Sequence, residues 1–399
     1  MKKKILIVSH AMELGGAERS LLGLLNAIDP ESYDVDLFLL RHDGELMSYI
    51  PQYVHLLPEI PAYTVLARPM KDTTREGHFL LTAARLAGKT AAVLYDRRHH
   101  FTDSYVALEY SHKFTCPFLP PIQPDKEYDL AISFLTPHYF VAEKVRAKKK
   151  AAWIHTDYSK IQINQKSELS MWMEYPYIIS ISEAVTNGFL KIFPQLENRI
   201  RLIENILPEY LIHKQSVAQD VSAEMPQNES EWRLLSIGRY STAKNFDNIP
   251  DICARLLYKG LSIKWYLIGF GSDEDLIRRK IAEQKMESHV ILLGKKENPY
   301  PYIKSCDLYV QPSRYEGKSV TVREAQMLGK PVVITNYPTA KSQLEDGVDG
   351  VIVPLDNQGC AEGIADLLRH PERMKMLQKN CAARDYSNAE EIKKLYQLI

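Results

Sequence analysis

Ile5-Leu6-Ile7-Val8-Ser9-His10-Ala11-Met12-Glu13-Leu14-Gly15-Gly16-Ala17 is the stretch whose reading decides the fold. The short unbroken apolar run Ile5 to Val8 fits a parallel strand buried on both faces. A turn carrying Gly15-Gly16 follows. Ala17, Leu21, Leu24, Leu25 and Ile28 then recur at helical spacing until Asp29-Pro30 stops them. A second strand is expected over Val35 to Leu40. Strand, glycine turn, helix, strand is the opening of a βαβ unit, and so of an α/β sheet.

Further along, the rhythm breaks and then resumes. From about 64 to 124 the apolar pattern is helical, without strands between. Strand signals return at Asp129-Leu-Ala-Ile-Ser-Phe, Ala151-Ala-Trp-Ile-His and Tyr177-Ile-Ile-Ser-Ile-Ser. A polar, aperiodic tract near 213–231 reads as a linker. A second α/β run follows, with strands at Leu234-Leu-Ser-Ile-Gly, Trp265-Tyr-Leu-Ile-Gly, Val290-Ile-Leu-Leu-Gly, Leu308-Tyr-Val-Gln-Pro and Pro331-Val-Val-Ile-Thr. The expected fold class is therefore α/β, with two Rossmann-like, doubly wound domains facing across a cleft. The expected division is 1–212, a linker at 213–231, a second domain at 232–380, and a C-terminal helix at 381–399 packing back on the first. Open α/β sheets bind ligands at the C-terminal ends of their strands, so the site is expected between the domains.

Composition excludes other classes. A length of 399 residues suits two domains, and 45% hydrophobic with 25% charged residues is ordinary for a globular chain. Fifty basic residues balance fifty acidic ones, which argues against a dedicated nucleic-acid binder. Five scattered cysteines without CxxC spacing read as reduced thiols rather than a disulfide framework or zinc site. The apolar run after Lys2-Lys-Lys is too short for a secretory signal, and no stretch is long enough to span a membrane. A cytoplasmic chain, or one on the inner face of the membrane, is expected.

Three segments carry residues suited to chemistry. Gly269-Phe-Gly-Ser-Asp-Glu begins like a dinucleotide fingerprint, but Glu274 stands where glycine or alanine is needed. That disfavours a nicotinamide enzyme, and a tight turn with Ser272 capping a helix explains the segment equally well. In Gly238-Arg239-Tyr-Ser-Thr-Ala-Lys244-Asn245, an arginine and a lysine five residues apart follow a strand end. They suit a diphosphate, although two such cations are often plain surface. The third segment, Arg314 to Val333, reads as loop, helix, glycine stop and Pro-led strand. Its helix start suits phosphate. Glu316 and Glu324 lie eight positions apart, about 12 Å along a continuous helix and beyond a glycosidase pair. Thr321-Val-Arg-Glu324 also matches a capping box, which gives Glu324 a purely structural alternative. The acidic pairs Asp34-Val-Asp36 and Asp273-Glu-Asp275 read as structural, and no metal site is expected.

The ordered set of motifs resembles the family-4 retaining glycosyltransferases of the GT-B fold (glycosyl transferases group 1), of the bacterial surface-polysaccharide type. The matching stretches are Gly-Gly-Ala-Glu-Arg after the first strand, Trp153-Ile-His155-Thr-Asp157, Ile181-Ser-Glu-Ala184 and Glu204-Asn205. They continue with Gly-Arg-…-Lys-Asn, Ile268-Gly-Phe-Gly, Glu316-x(7)-Glu324, Glu345-Asp-Gly-Val-Asp-Gly-Val-Ile-Val-Pro and Tyr386-Ser387. The resemblance implies that Arg239 and Lys244 neutralise the diphosphate of a UDP- or GDP-sugar and that Glu324 holds the ribose. It implies that Glu316 contacts sugar hydroxyls, with Gly317, Lys318, Ser319 and Val320 near the sugar and phosphate. Gly15 and Gly16 then allow close approach of the N-terminal loop. His155 lies beside the donor sugar, the alternative being a packed or capping histidine. A retaining, metal-independent transfer without cofactor is implied, to a glycan or lipid-diphosphate-linked acceptor held by the N-terminal domain. Phe270, Lys318-Ser319 and Asn388 depart from the common pattern, and the second departure leaves sugar specificity open.

Two further readings share the nucleotide site, a GT-B sugar-nucleotide epimerase and a non-catalytic nucleotide-sugar binding protein. Within 64–100, seven basic residues against three acidic ones leave +4, beside Leu80, Leu81, Leu86 and Phe101. An anionic membrane surface is the candidate partner for this segment, and a solvated helical excursion is the alternative.

Overall fold

The computed structural model describes residues 2–102 and 104–399; Met1 and Asp103 lie outside the described residues. The chain divides into two compact units, 2–206 with 389–399, and 207–388.

Among the described residues, the first unit is built on seven parallel strands. In chain order they are β1 (Lys3–Ser9), β2 (Tyr33–Leu39), β3 (His55–Leu56), β4 (Tyr128–Ser133), β5 (Ala147–Ile154), β6 (Tyr177–Ser180) and β7 (Ile200–Leu202), arranged β3-β2-β1-β4-β5-β6-β7. Ile5, Leu6 and Ile7 are fully buried at its centre, as the apolar run requires of a strand covered on both faces. Strand order reverses between β1 and β4, which places a crevice at their C-terminal ends. Among the described residues the expected helical excursion holds four α-helices, Pro61–Thr64, Met70–Arg75, Phe79–His99 and Val106–Thr115, with 3₁₀ turns at Val65–Ala67 and Cys116–Phe118. Asp36 is consumed structurally, accepting from Tyr128 Oη at 2.5 Å, Lys126 Nζ at 2.7 Å and His55 Nδ1 at 3.2 Å.

The second unit has six parallel strands, β8 (Trp232–Ile237), β9 (Ile263–Ile268), β10 (Val290–Gly294), β11 (Leu308–Gln311), β12 (Val332–Thr335) and β13 (Val351–Val353). Their order is β10-β9-β8-β11-β12-β13, and order reverses between β8 and β11. All five cysteines are free and buried.

The structure moves the expected boundaries. The tract at 213–231 belongs to the second unit from Leu207 onward, beginning with a helix at Glu209–Gln215. Ile212, Val221 and Met225 are buried in that unit's core with Tyr300 and Tyr302, so sparse apolar anchors hold down a polar segment. The expected helix at 381–399 is also different. A helix at Pro371–Ala382 stays in the second unit through Met374, Leu377 and Cys381. Only 389–399 joins the first unit, where Ile392, Leu395 and Leu398 enter the core and Tyr396 stacks on Tyr33 at 4.4 Å.

Ser272 does not cap the following helix, whose N-cap is Asp273; its hydroxyl donates to Asp273 Oδ1 instead. The glycines before it serve a close approach. A Cβ on Gly269 would stand 1.9 Å from Gly238 O, and one on Gly271 2.3 Å from Tyr240 O. The G-x-G pattern therefore lets the loop after β9 lie on the loop after β8.

Candidate active site

In the second unit, the loops leaving β8 and β11 meet at the switch point of the sheet. Gly238 directly follows β8, and the Lys244 stem runs across it. A Cβ at 238 would stand 3.1 Å from Lys244 Cε. A 3₁₀ turn, Thr242–Lys244, and a left-handed Asn245 (φ 61°) then redirect the chain. Asn245 tolerates that conformation better than most residues, and its Nδ2 donates to Pro312 O at 2.9 Å. Arg314 fastens the two loops together. Its backbone N–H donates to Ala243 O at 2.8 Å, and its guanidinium bonds both Asp247 carboxylate oxygens at 2.9 Å.

This clamp brings Lys244 and Glu316 into contact, Nζ to Oε1 at 2.5 Å. The same oxygen accepts from Ser313 Oγ at 2.6 Å and Gln311 Nε2 at 3.4 Å. Arg239 is not part of this cluster. It is exposed, and its guanidinium makes no hydrogen bond or ion pair with any described residue. Of the two cations expected at a diphosphate, Lys244 is held against a carboxylate and Arg239 is open to solvent.

The segment 317–324 is arranged differently from expectation as well. The helix runs Val320–Met327, so Thr321 lies inside it and cannot be its cap. The Ser319 N–H donates to Gln343 Oε1 at 2.7 Å, and Gln343 Nε2 returns a bond to Ser319 O at 3.1 Å. That amide is already occupied, whereas Gly317 and Lys318 are partly exposed and Val320 is buried. Glu324 is fully buried and accepts from Tyr300 Oη at 2.8 Å. Its carboxylate faces the Tyr300 helix (Tyr300–Ser305) rather than closing a capping box.

In the first unit, Gly15 is the N-cap of the helix Gly16–Ala27. A Cβ there would lie 2.0 Å from Glu18 Oε2, so the glycine makes room for a carboxylate folded onto the positive helix start. His155 follows β5 and packs on Phe134, centroids 4.6 Å apart. Its Nε2 is buried without a partner, and burial lowers its pKa to about 4, which leaves the ring neutral at pH 7.

Sequence reasoning did not single out Gln311, Ser313, Asp247, Arg314 or Tyr300 as partners of the site. Polar residues at the end of an apolar strand, Gln311 and Ser313, were the available signal; both are fully buried.

Across its full length the chain superposes on the Anabaena protein HepE solved with UDP and glucose, with a TM-score of 0.69, 16% identity and 100% of both chains covered. The two parallel α/β units have the GT-B fold. Residues 218–384, which include the Lys244–Glu316 cluster and Glu324, match the family model of the glycosyl transferases group 1. Among curated relatives, an N-acetylgalactosaminyltransferase of Campylobacter jejuni acting on a diphospho-undecaprenol-linked sugar is 29% identical over 151 residues. That match covers 37% of this chain and 40% of the relative. An uncharacterized glycosyltransferase of Methanocaldococcus jannaschii is 25% identical over 267 residues, 62% of this chain and 74% of the relative. The match thus spans less than half the length of the first of these two relatives.

Proposed function

We propose that the chain transfers a sugar from a UDP- or GDP-sugar to a glycan or lipid-linked acceptor, with retention of configuration and without a metal, in cell-surface polysaccharide synthesis. The observation that carries this reading is the Lys244–Glu316 pair at the β8–β11 switch point with Arg239 open beside it in sequence. In the reaction, the bond from the anomeric carbon to the diphosphate oxygen breaks and its electron pair stays on the diphosphate. The acceptor hydroxyl oxygen bonds to the same face of that carbon, and its proton leaves with the diphosphate.

Cations placed at the leaving group stabilise charge that grows in the transition state. Arg239 offers a free guanidinium. Lys244 is held ready by Glu316, and when it turns to a phosphate the carboxylate keeps Ser313 and Gln311 as donors. No buried charge is stranded by the exchange. Glu324 supplies acceptors for ribose hydroxyls, and His155, neutral at pH 7, can share a hydrogen bond with a sugar hydroxyl without adding charge.

The test is turnover of UDP- and GDP-sugars with product mass determined, which separates transfer from epimerisation and from binding alone. Lys244→Ala and Arg239→Ala should each lower turnover by about 10²–10³, the loss seen when one oxyanion donor is removed. Turnover close to wild type in both would refute the diphosphate assignment.

The lipid-linked form of the acceptor is supported by the helix Phe79–His99. Leu81, Gly88 and Ala92 face the protein, while Phe79, Leu80, Leu86, Val93 and Leu94 are exposed, Phe79 by 67%. Arg68 is taken up by Glu76, and Arg85 by the Val65 and Arg68 carbonyls. Lys71, Arg75, Lys89, Arg97 and Arg98 remain exposed around the apolar stripe. An apolar stripe beside five exposed cations, with Asp72 the exposed carboxylate outside the Arg68–Glu76 pair, matches an anionic lipid interface, and the same net charge would repel a second copy. Leu86→Glu with Leu94→Glu should abolish co-sedimentation with vesicles containing anionic lipid. Binding that ignores lipid charge would remove the membrane from this reading.

A further inference from the structure

Tyr309 and Gln311 are polar residues at positions where apolar ones would pack. They lie two apart on β11, an inner strand between β8 and β12, and both are fully buried. Residues two apart on a strand share a face. On this face Tyr309 joins the core formed by Leu235, Ile237, Ala325 and Ile334. Burying a hydroxyl and an amide is costly unless their bonds are made, and an apolar pair of similar shape would serve packing as well.

Their bonds run in one direction. Tyr309 Oη donates to Gln311 Oε1 at 2.8 Å, Gln311 Nε2 donates to Ser313 Oγ at 2.9 Å, and Ser313 Oγ donates to Glu316 Oε1 at 2.6 Å. Gln311 Nε2 also reaches Glu316 Oε1, at 3.4 Å. Every proton in the series therefore points towards one carboxylate oxygen, the one that holds Lys244. Tyr309 begins the series by fixing the Gln311 amide. Turned over, that amide would set its own oxygen against Glu316. The other contact of the phenol, to Ile237 O, is longer at 3.5 Å. Burial raises the pKa of the phenol, with Glu324 and Glu316 adding to the effect, so it stays a donor at neutral pH.

The backbone of the same loop is fixed independently. Thr335 Oγ1 donates to Ser313 O at 2.6 Å, and Thr339 Oγ1 donates to Glu316 O at 2.8 Å. The series is thus not needed to hold the loop; what it governs is the carboxylate. Donors in series polarise one another, and the charge of Glu316 is shared between them and Lys244. With fewer other donors, the carboxylate depends more on the lysine.

We propose that Tyr309 and Gln311 are positioning residues that set how tightly Glu316 holds Lys244, and so how readily the lysine is released to a diphosphate. This deepens the glycosyl-transfer reading and rests on it for the diphosphate.

Titration calorimetry of the whole chain with UDP and GDP reads that release without an acceptor. Tyr309→Phe should weaken binding of whichever nucleotide binds by about fivefold, the worth of one hydrogen bond, because Glu316 then grips Lys244 harder. Gln311→Leu should weaken it at least as much. In a Glu316→Gln background no charge grips the lysine, so the same two substitutions should change affinity by less than about twofold. Each single change leaves a buried group unpaired and lowers Tm. Tyr309→Phe combined with Gln311→Leu removes both partners, so Tm should return to within about 3 °C of wild type while nucleotide binding stays weak. A merely structural pair would lose affinity equally in both backgrounds, or regain it together with Tm. Either result, or unchanged affinity in the single variants, overturns the proposal. Nucleotide binding that Lys244→Ala leaves unchanged overturns the diphosphate assignment and this proposal together. If neither nucleotide binds the wild-type chain, it is the transferase reading that has failed, and this proposal falls with it.

Discussion

Lys244 and Glu316 constrain each other, and that contact separates the variants at the residue scale. Glu316→Gln removes the counter-charge but keeps an oxygen for Ser313 and Gln311. It should leave Tm nearly unchanged and lower turnover at least tenfold, read from initial rates at saturating donor. Glu324→Gln preserves an acceptor for Tyr300 Oη, so its expected effect is a donor KM raised by about tenfold, one lost charge-assisted hydrogen bond, with little change in Tm. Unchanged donor affinity would return Glu324 to a packing role. Both glutamates were legible from the segment 314–333, because a glycine, a helix start and a Pro-led strand fix its local structure. The pairing with Lys244 was not. The two residues are 72 positions apart, and only the adjacency of β8 and β11 brings them together, which no local pattern encodes.

At the scale of elements, the loop after β9 lies against Gly238 and Tyr240 with no room for a side chain. Gly269→Ala should therefore lose at least about 2 kcal/mol of stability, from a backbone clash at positive φ, measured by denaturant unfolding. A loss below about 0.5 kcal/mol would show that the loop moves aside, the level of an ordinary surface substitution. The longer strands were readable from their apolar runs. β3, β7 and β13 were not, since two or three residues carry no periodicity. The tract at 213–231 was misread because composition averages over its few anchors, Val221 and Met225. For the helix Phe79–His99 the converse holds. Its spacing was plain, but which apolar face was left uncovered depends on the helix Val106–Thr115, against which Gly88 packs at Tyr110.

Over the whole molecule, acid should weaken the first unit. Burial lowers His10 and His155 to about 4 and holds His112 and His138 well below their ordinary value. Each takes up a proton more readily when unfolded, so its stabilisation is present above pH 6.5 and is lost as pH falls towards the folded values. Glu168, raised to about 7, acts oppositely; its contribution is present below pH 4.5 and is lost as pH rises through 7. Four histidines outweigh it, and the Tm of the first unit should fall by about 5 °C or more between pH 7 and 5. Glu168→Gln should steepen that fall in a calorimetric series. Deletion of 389–399 should lower the same transition and leave the second unit's in place, because it removes Ile392, Leu395 and Leu398 from the first core only. The return of that segment also orders events during synthesis. A growing chain delivers 2–206 first, yet that unit lacks part of its core until 207–388 has been made. The second unit is complete earlier and can close alone. The earlier-made half therefore keeps part of its core open until 389–399 arrives, and a chaperone guarding this protein would meet that half exposed for longer.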